Sequence, residues 1–241
     1  MRRLRERGPF DAYAESVTRL ARRLFAAGTQ LVVLGGDHGV TIPIVDALDA
    51  LSRPVHELHV DAHLDWRAEV RGATRGYSSP LYWASRKPHV SGMTQLGLRG
   101  TGSARRSEVE AARACGSRLF TAADLHREGF APALATIPDR AAVYVTIDAD
   151  GIDPTEAPGV MAPVPGGLRF ADLVPFLRTV ATRHLIVGLD LVEVAPSFDA
   201  ANGITCITAG RLIVNVIGAS WARSGAFGRE RAETAASANS R

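Results

Sequence analysis

The chain has 241 residues, 46% of them hydrophobic, which suffices for one large α/β domain or two small ones. Its 28 basic residues are interspersed with 25 acidic ones, so the net charge of +3 does not indicate nucleic-acid binding. No apolar run approaches the ~18 residues of a membrane span, and the N-terminal residues mix acids with arginines, so we predict neither a membrane anchor nor a secretory signal.

Helical and strand-like segments alternate along the chain. Apolar residues at helical spacing predict a helix over residues 15–28, ended by Gly28, and the apolar run 30–36 predicts a buried strand. Further helices are predicted near 44–51, 103–115, Asp124, 169–181 and 204–221, and further strands near 55–63, 94–100, 117–120, 142–150 and 184–194. This pattern predicts one α/β/α domain over residues 1–228, with a mostly parallel sheet, and a polar, frayed tail over 229–241.

The two cysteines, Cys115 and Cys206, are far apart and match no metal or redox spacing. We therefore expect a cytoplasmic protein in which both side chains are buried as small hydrophobic groups.

Three long segments interrupt the alternation: residues 66–92, 151–167 and 193–203. Each follows a predicted strand. Because loops beyond the carboxyl ends of parallel strands form the binding crevice of open α/β sheets, we expect the functional site there.

Ionisable residues cluster where two predicted strands end. DAHLD places Asp61, His63 and Asp65 at alternate positions, which share a face in an extended chain, and DADGIDP does the same for Asp148 and Asp150. Neither motif contains a lysine or arginine. Carboxylates this close in a low-dielectric site require a positive charge between them, so both motifs predict a metal cation.

A third strand end, GGDHGVT, adds His38 to this set. The four carboxylates carry a charge of about −4, which two divalent cations would balance, and oxygen ligands with few imidazoles favour manganese or magnesium over zinc. Two such ions about 3.5–4 Å apart can share a water and lower its pKa, which supplies a hydroxide nucleophile at neutral pH. Taken singly, GGDH also fits a helix cap and DAD a turn.

The other histidines have no metal spacing, and we expect surface or supporting roles for them: His56, His59, His89, His126 and His184.

GGDH, DAHLD, DADGIDPTEAPG and GLDLVEVAP resemble the signatures of the ureohydrolase family of arginases and agmatinases, in its agmatinase-like branch. The resemblance runs over residues 31–218. It implies an arginase-like three-layer fold and a manganese-dependent amidinohydrolase that converts a small guanidino compound to urea and an amine. It also implies a homo-oligomer, trimeric or hexameric, with no nucleic-acid or membrane partner.

The resemblance also implies residue roles. One manganese ion would be held by His38, Asp61, Asp65 and Asp148, and the other by Asp61, His63, Asp148 and Asp150. The catalytic centre would thus share Asp61 and Asp148 between both ions. Glu193 would bind the guanidinium group, Asp153 would form a turn or support the site, and Asp190 would orient a ligand.

Two departures from the family pattern bear on function. The family has a histidine in a short His-Gly-Ser/Thr-Pro loop for proton transfer, whereas GYSSP places Tyr77 there, and a tyrosine pKa near 10 suits that task less well. Family members also carry an additional N-terminal segment with the first strand of the sheet. We expect this chain to lack it, which leaves a sheet edge for a partner to cover or a chain of marginal stability.

Two alternatives stay open at this point. One is another hydrolase on the same scaffold, acting on a formimidoyl or other guanidino substrate or as a zinc deacetylase, although His38, Asp65 and Asp150 exceed what one zinc ion needs. The other is a catalytically impaired paralogue that binds metal.

Overall fold

The computed structural model describes residues 7–100 and 102–238, with side chains for 11–100 and 102–223. Its strands are β1 (Leu31–Leu34), β2 (Val55–Val60), β3 (Val90–Leu98), β4 (Arg118–Thr121), β5 (Ala142–Asp148) and β6 (Leu185–Val192). All pairings are parallel, and the strand order is β1-β6-β5-β2-β3-β4. The carboxyl ends of these strands therefore lie along one edge, as the sequence predicted.

Helices connect the strands. They are α1 (Arg7–Ala26), α2 (Thr41–Ala47), α3 (Pro80–Ala84), α4 (Arg106–Ala114), α5 (Ala122–Glu128), α6 (Ala131–Leu134), α7 (Phe170–Arg183) and α8 (Ile204–Ala238). Gly28 follows α1 with a φ of 73°, which a glycine adopts at little cost, and so ends the helix where predicted. Helix α3 and the first residues of β3 lie inside the segment 66–92 that was predicted as loop.

Two hydrophobic layers cover the sheet, one on each face. On one face, α5, α6, α7 and α8 pack against apolar side chains such as Val143, Val145 and Ile147 of β5. On the other face, α1, α2, α3 and α4 pack around Val55, Met93 and Tyr144. Every residue of β2 and β5 is buried, as expected for central strands covered on both sides. The predicted three-layer α/β/α fold is confirmed.

Helix α8 departs from two sequence predictions. The stretch Ile204–Arg223 is long and apolar enough to cross a membrane by length and composition, with mean hydropathy 1.4, so the prediction that no run reaches this length was wrong. Its buried residues Ala209, Leu212, Val216 and Ala219 recur at helical spacing and pack into the hydrophobic layer beside α7. Burial in the core accounts for these four residues, whereas 39% of the apolar stretch is buried overall and Ile207, Val214 and Trp221 are exposed. The helix also continues to Ala238, into the predicted tail, whose residues 239–241 lie outside the described residues.

The prediction that both cysteines are buried was wrong. Cys115 directly follows α4 and Cys206 lies in the first turn of α8, and both are exposed free thiols. Each lies at one end of a helix, where its side chain faces solvent.

Candidate metal centre

His38 follows a glycine-containing turn at the carboxyl end of β1. The backbone N–H of Gly35 still donates to the Leu191 carbonyl of β6, and a Cβ at Gly35 would lie 2.6 Å from Val40 and 2.8 Å from Val192. Only glycine fits this approach. Asp37 then caps the short helical turn His38–Val40 by accepting from the Gly39 N–H.

The segment that follows β2 forms a turn, and this turn sets the directions of the Asp61, His63 and Asp65 side chains. The strand ends at Val60, the His63 N–H donates to Asp61 Oδ1 at 2.6 Å, and Asp65 has a left-handed φ of 49°. The expectation that the three residues share one face of an extended strand was therefore wrong. They converge because Asp61 binds its own backbone two residues on and because Asp65 holds a conformation that costs about 1 kcal/mol or more.

The end of β5 approaches this turn closely. Asp148 Oδ1 accepts from the Asp150 N–H at 2.8 Å, and Asp150 Oδ1 accepts from the Ala62 N–H at 3.2 Å. A Cβ at Gly151 would lie 2.8 Å from the backbone nitrogen of Asp61. Glycine at this position lets the carboxylates of the two neighbouring strands lie side by side.

The six predicted ligands come together in two groups that share Asp61. His38 Nδ1 lies 3.2 Å from Asp61 Oδ2, 3.1 Å from Asp65 Oδ2 and 3.3 Å from Asp148 Oδ2. His63 Nδ1 lies 3.3 Å from Asp61 Oδ1 and 3.1 Å from Asp150 Oδ2. Ligand atoms of His38, Asp61 and Asp65, together with His59, lie within 4.8 Å of one another, and so do those of Asp61, His63 and Asp150, which is close enough to hold a metal ion. Asp148 adjoins the first group through its contact with His38.

The hydrogen bonds of His38 show which of its nitrogens faces this site. Thr146 Oγ1 lies 2.6 Å from Asp190 Oδ1 and 2.9 Å from His38 Nε2. The carboxylate can only accept, so the single hydroxyl proton of Thr146 goes to Asp190 and His38 Nε2–H donates to Thr146. In neutral His38 the lone pair of Nδ1 therefore points at three carboxylates, and that buried atom has no hydrogen-bond partner among the described residues. A divalent cation fits this arrangement.

Burial and the nearby carboxylates raise the pKa values of several of these groups, as expected for a site that lacks a compensating cation. Burial, and then the charges of Asp61 and Asp150, raise the pKa of Asp148 well above its ordinary value. Burial likewise raises the pKa of Asp65 and Asp150. Hydrogen bonds to Asp150 and Asp61 raise the pKa of His63 to about 11. Each of these shifts favours the protonated form of its group, and a bound metal ion would compete with that proton.

Two residues support the ligands from behind. His59 Nε2 lies 2.9 Å from Asp61 Oδ2, fully buried, which fits the supporting role expected for this histidine. Asp190 holds His38 through Thr146 and also accepts from Thr41 and Tyr144, which agrees with its expected role of orienting a ligand. Asp153 accepts from Thr155 and from the N–H groups of Gly166 and Gly167, which organises the loop after β5.

Sequence reasoning missed Arg99, which follows β3. Its guanidinium donates six hydrogen bonds to five backbone carbonyls, those of Gly97, Asp150, Gly151, Ile152 and Val164. This positive charge therefore lies behind the carboxylates and fastens the turn that carries Asp150. Arg99 was not predicted as a site residue because it is distant in sequence from both acidic motifs.

Replacing Arg99 with methionine is expected to lower the free energy of unfolding by about 2–4 kcal/mol, because several buried carbonyls lose their donors. Arg99→Lys keeps the positive charge but not the planar set of N–H donors, so we expect an intermediate decrease in the free energy of unfolding. Chemical denaturation of both variants, with metal-binding titrations, checks this. Unchanged stability in Arg99→Met would show that the hydrogen bonds contribute nothing net.

Glu57, also missed, is buried on the same face of β2 as His59 and Asp61. It is 1% exposed, and neither carboxylate oxygen has a hydrogen-bond partner among the described residues. Burial, and then the charge of Asp190, raise its pKa to about 8.

The two predicted substrate-side residues lie near His38. Glu193 Oε1 accepts from the His38 N–H at 2.9 Å, its φ is 61°, and burial raises its pKa. Tyr77 is 51% exposed in the loop after DAHLD, and the preceding residue, Gly76, packs against Gly39. The roles of Glu193 and Tyr77 toward a substrate stay predictions.

The fold and the two clusters define an α/β protein with a candidate binuclear metal centre at the strand carboxyl ends. The family model described as Arginase family matches residues 7–218. Over 225 residues the chain is 35% identical to the N(1)-aminopropylagmatine ureohydrolase of Thermus thermophilus, covering 90% of this chain and 73% of that protein. It is 32% identical over 220 residues to the agmatinase of Chromobacterium violaceum, covering 86% of this chain and 65% of that protein.

The structure agrees with these sequence relatives. The crystal structure of the agmatine ureohydrolase of Thermoplasma volcanium superimposes with a TM-score of 0.76 at 26% identity, covering 87% of this chain and 69% of that one. The chain belongs to the arginase family. The predicted enzyme class, a hydrolase of carbon–nitrogen bonds in linear amidines, is confirmed by these relatives.

Proposed function

We propose that this chain is a dimanganese amidinohydrolase that releases urea from a small guanidino compound. The observation that carries the proposal is the His38 Nδ1 lone pair, which faces three carboxylates and is fixed there by Thr146 and Asp190. The similarity to the Thermus and Chromobacterium enzymes supports urea as the product.

The six ligands would hold two divalent cations, and their donor set of four carboxylates and two imidazoles favours manganese. Bound together, two such ions supply a hydroxide nucleophile at neutral pH. Asp61 would serve both ions, because its two oxygens face different histidines. Asp148 would share that bridging role.

Glu193 would bind the substrate guanidinium beside the metal centre. A carboxylate matches the planar guanidinium fork, and its contact with the His38 N–H fixes its position relative to the ligands. Tyr77, which is half exposed, would donate the proton that the departing amine needs.

Urea release from agmatine, guanidinobutyrate, guanidinopropionate and arginine by the manganese-loaded protein tests the function. We expect urea from one member of this panel. His63→Ala is expected to abolish it, whereas Glu110→Ala, which changes an exposed ionisable residue of α4, should retain it. If the protein binds two manganese ions but releases urea from none of these compounds, the proposal is wrong, and the chain is instead a catalytically impaired metal-binding paralogue.

We further propose a cytoplasmic homo-oligomer, trimeric or hexameric. The free thiols of Cys115 and Cys206 are consistent with a reducing compartment. Sedimentation velocity of the purified protein measures the assembly state.

A further inference from the structure

Three buried side chains of the central strands have polar atoms without a hydrogen-bond partner among the described residues. They are Glu57 and His59 of β2 and Gln95 of β3, which are 1%, 0% and 0% exposed. The atoms are both carboxyl oxygens of Glu57, Nδ1 of His59 and Oε1 of Gln95. Because buried polar atoms are nearly always paired, these four atoms call for a partner that is not part of the described chain.

The register of the sheet brings these side chains together. Glu57 and His59 lie two positions apart in β2 and therefore share a face of the sheet. His59 pairs with Gln95 in the parallel register of β2 and β3, and paired residues of neighbouring strands project to the same face. Strand spacing and rise place the three Cα atoms within about 8 Å of one another. Side chains of this length can contact one small ligand between them.

The neighbours on β5 do not supply the missing donors. Tyr144 pairs with Glu57, and Thr146 pairs with His59. Each hydroxyl group has a single proton, and Asp190 receives both of them. Tyr144 Oη lies 2.6 Å from Asp190 Oδ2, and Thr146 Oγ1 lies 2.6 Å from Asp190 Oδ1. Neither proton is therefore available to β2.

The neighbours on β3 do not supply them either. Met93 pairs with Glu57, and its thioether has no proton to donate. Gln95 donates from Nε2 to Ser117 Oγ at 2.9 Å, which leaves Oε1, an acceptor. The residues that pair with Glu57 and His59 on both sides thus offer no free donor.

The hydrogen bond between His59 and Asp61 shows which role His59 Nδ1 has. Nε2 lies 2.9 Å from Asp61 Oδ2, and because a carboxylate only accepts, Nε2–H is the donor. In neutral His59 the lone pair is then on Nδ1. Burial, and then the charge of Asp190, raise the pKa of Glu57 to about 8, so its carboxyl group carries a proton at neutral pH. The three side chains therefore present one donor, on Glu57, and acceptors on His59 and Gln95.

We propose that Glu57, His59 and Gln95 bind one buried water molecule, which holds the His59 ring against Asp61. Water has the hydrogen-bonding capacity that these atoms require. It accepts from the Glu57 carboxyl group and donates its two protons to His59 Nδ1 and Gln95 Oε1. Glu57 thereby acts as a positioning residue for Asp61, the ligand that both metal ions would share. This positioning role rests on the proposed function, whereas the water site does not.

A crystal structure of the manganese-loaded protein tests the water site directly. We expect one peak of density within about 3.2 Å of a Glu57 carboxyl oxygen, His59 Nδ1 and Gln95 Oε1. Glu57→Gln keeps an N–H donor at this position and should keep the water. Glu57→Met removes the donor, and Gln95→Leu removes an acceptor, so both variants should lose it.

Manganese titration measures the consequence for the metal centre. A group that orients a ligand from behind typically contributes about tenfold to a hundredfold to metal affinity. We therefore expect Glu57→Met and Gln95→Leu to bind manganese at least about tenfold more weakly than the unaltered protein, and Glu57→Gln to restore the affinity. Glu110→Met, at an exposed position of α4, is the matched control and should bind manganese normally.

Chemical denaturation of the metal-free variants separates this role from a structural one. Glu57→Met removes a buried carboxyl group, so it should be at least as stable as the unaltered protein while binding manganese more weakly. A purely structural role would instead lower stability and metal affinity together.

Three outcomes would overturn the inference. The first is no density at the three atoms in the unaltered protein. The second is unchanged manganese affinity in both Glu57→Met and Gln95→Leu. The third is equal weakening in Glu57→Gln and Glu57→Met, which would show that the hydrogen bond to water does not matter. A protein that holds this water but binds no manganese and releases no urea would support the water site and contradict the proposed function.

Discussion

Asp61→Asn is expected to remove metal binding from both clusters and to lower activity by at least about a thousandfold. The change removes the one carboxylate whose two oxygens face His38 and His63 separately. It also leaves the fully buried His59 bonded to a neutral amide in place of a carboxylate. Metal content after dialysis and kcat/KM for urea release provide the two measurements.

The control for this substitution is Asp172→Asn, which makes the same chemical change at an exposed position in the first turn of α7. We expect it to keep both metal ions and full activity. Retention of two ions by Asp61→Asn would contradict the shared-ligand arrangement, and retention of one would indicate that the two clusters bind independently.

Removal of the metal ions with a chelator is expected to lower the free energy of unfolding by about 5 kcal/mol, if each ion is present at about a hundred times its dissociation constant. For a chain of this size that corresponds to a drop in Tm of about 10–20 °C. The physical reason is that the carboxylates of the centre stay crowded in the folded state when no cation separates them.

The chelated protein should also lose stability as the pH rises. His63 has a folded pKa of about 11 against an ordinary value of 6.5, so the stability from its protonation is complete below pH 6.5 and declines toward pH 11. The raised pKa values of Asp65, Asp148 and Asp150 act in the same direction from their ordinary values upward. Between pH 6.5 and 9 we expect a fall of up to about 1.4 kcal/mol per pH unit from His63 alone.

Manganese should flatten this pH dependence, since the ions take the place of the protons, and the apparent metal affinity should rise with pH. Thermal unfolding with and without chelator at pH 6.5, 7.5 and 9 provides the comparison. Equal stability in both forms at all three values would show that the clusters hold no metal ion tightly.

The sequence predicted the fold and the ligands because their signals are local. Apolar periodicity identified the elements of the sheet, and DAHLD and DADGIDP lie directly where strands end. The left-handed φ of Asp65 could not be predicted from the sequence, because it depends on the conformation of the turn that follows β2. Arg99 and Thr146, the residue through which Asp190 holds His38, escaped notice because each reaches the site through a contact between segments distant in sequence.

The exposed cysteines and the apolar stretch of α8 show that composition alone does not predict which side chains are buried. Composition predicts how often a residue type is buried, but the exposed side of a helix end also accepts a small thiol. Similarly, the apolar composition of α8 did not show which of its residues are buried: Leu212 and Val216 pack into the core, whereas Val214 and Trp221 are exposed.

The face of β2 that bears Glu57 and His59 carries a group that lowers the stability of the fold. Glu57 is a carboxyl held without hydrogen-bond partners among the described residues, in a strand whose every residue is buried. Selection for stability alone would place an apolar side chain there. Glu57, which forms no hydrogen bond with the proposed ligands, is therefore a position where a substitution can change the stability of the fold without removing a metal ligand.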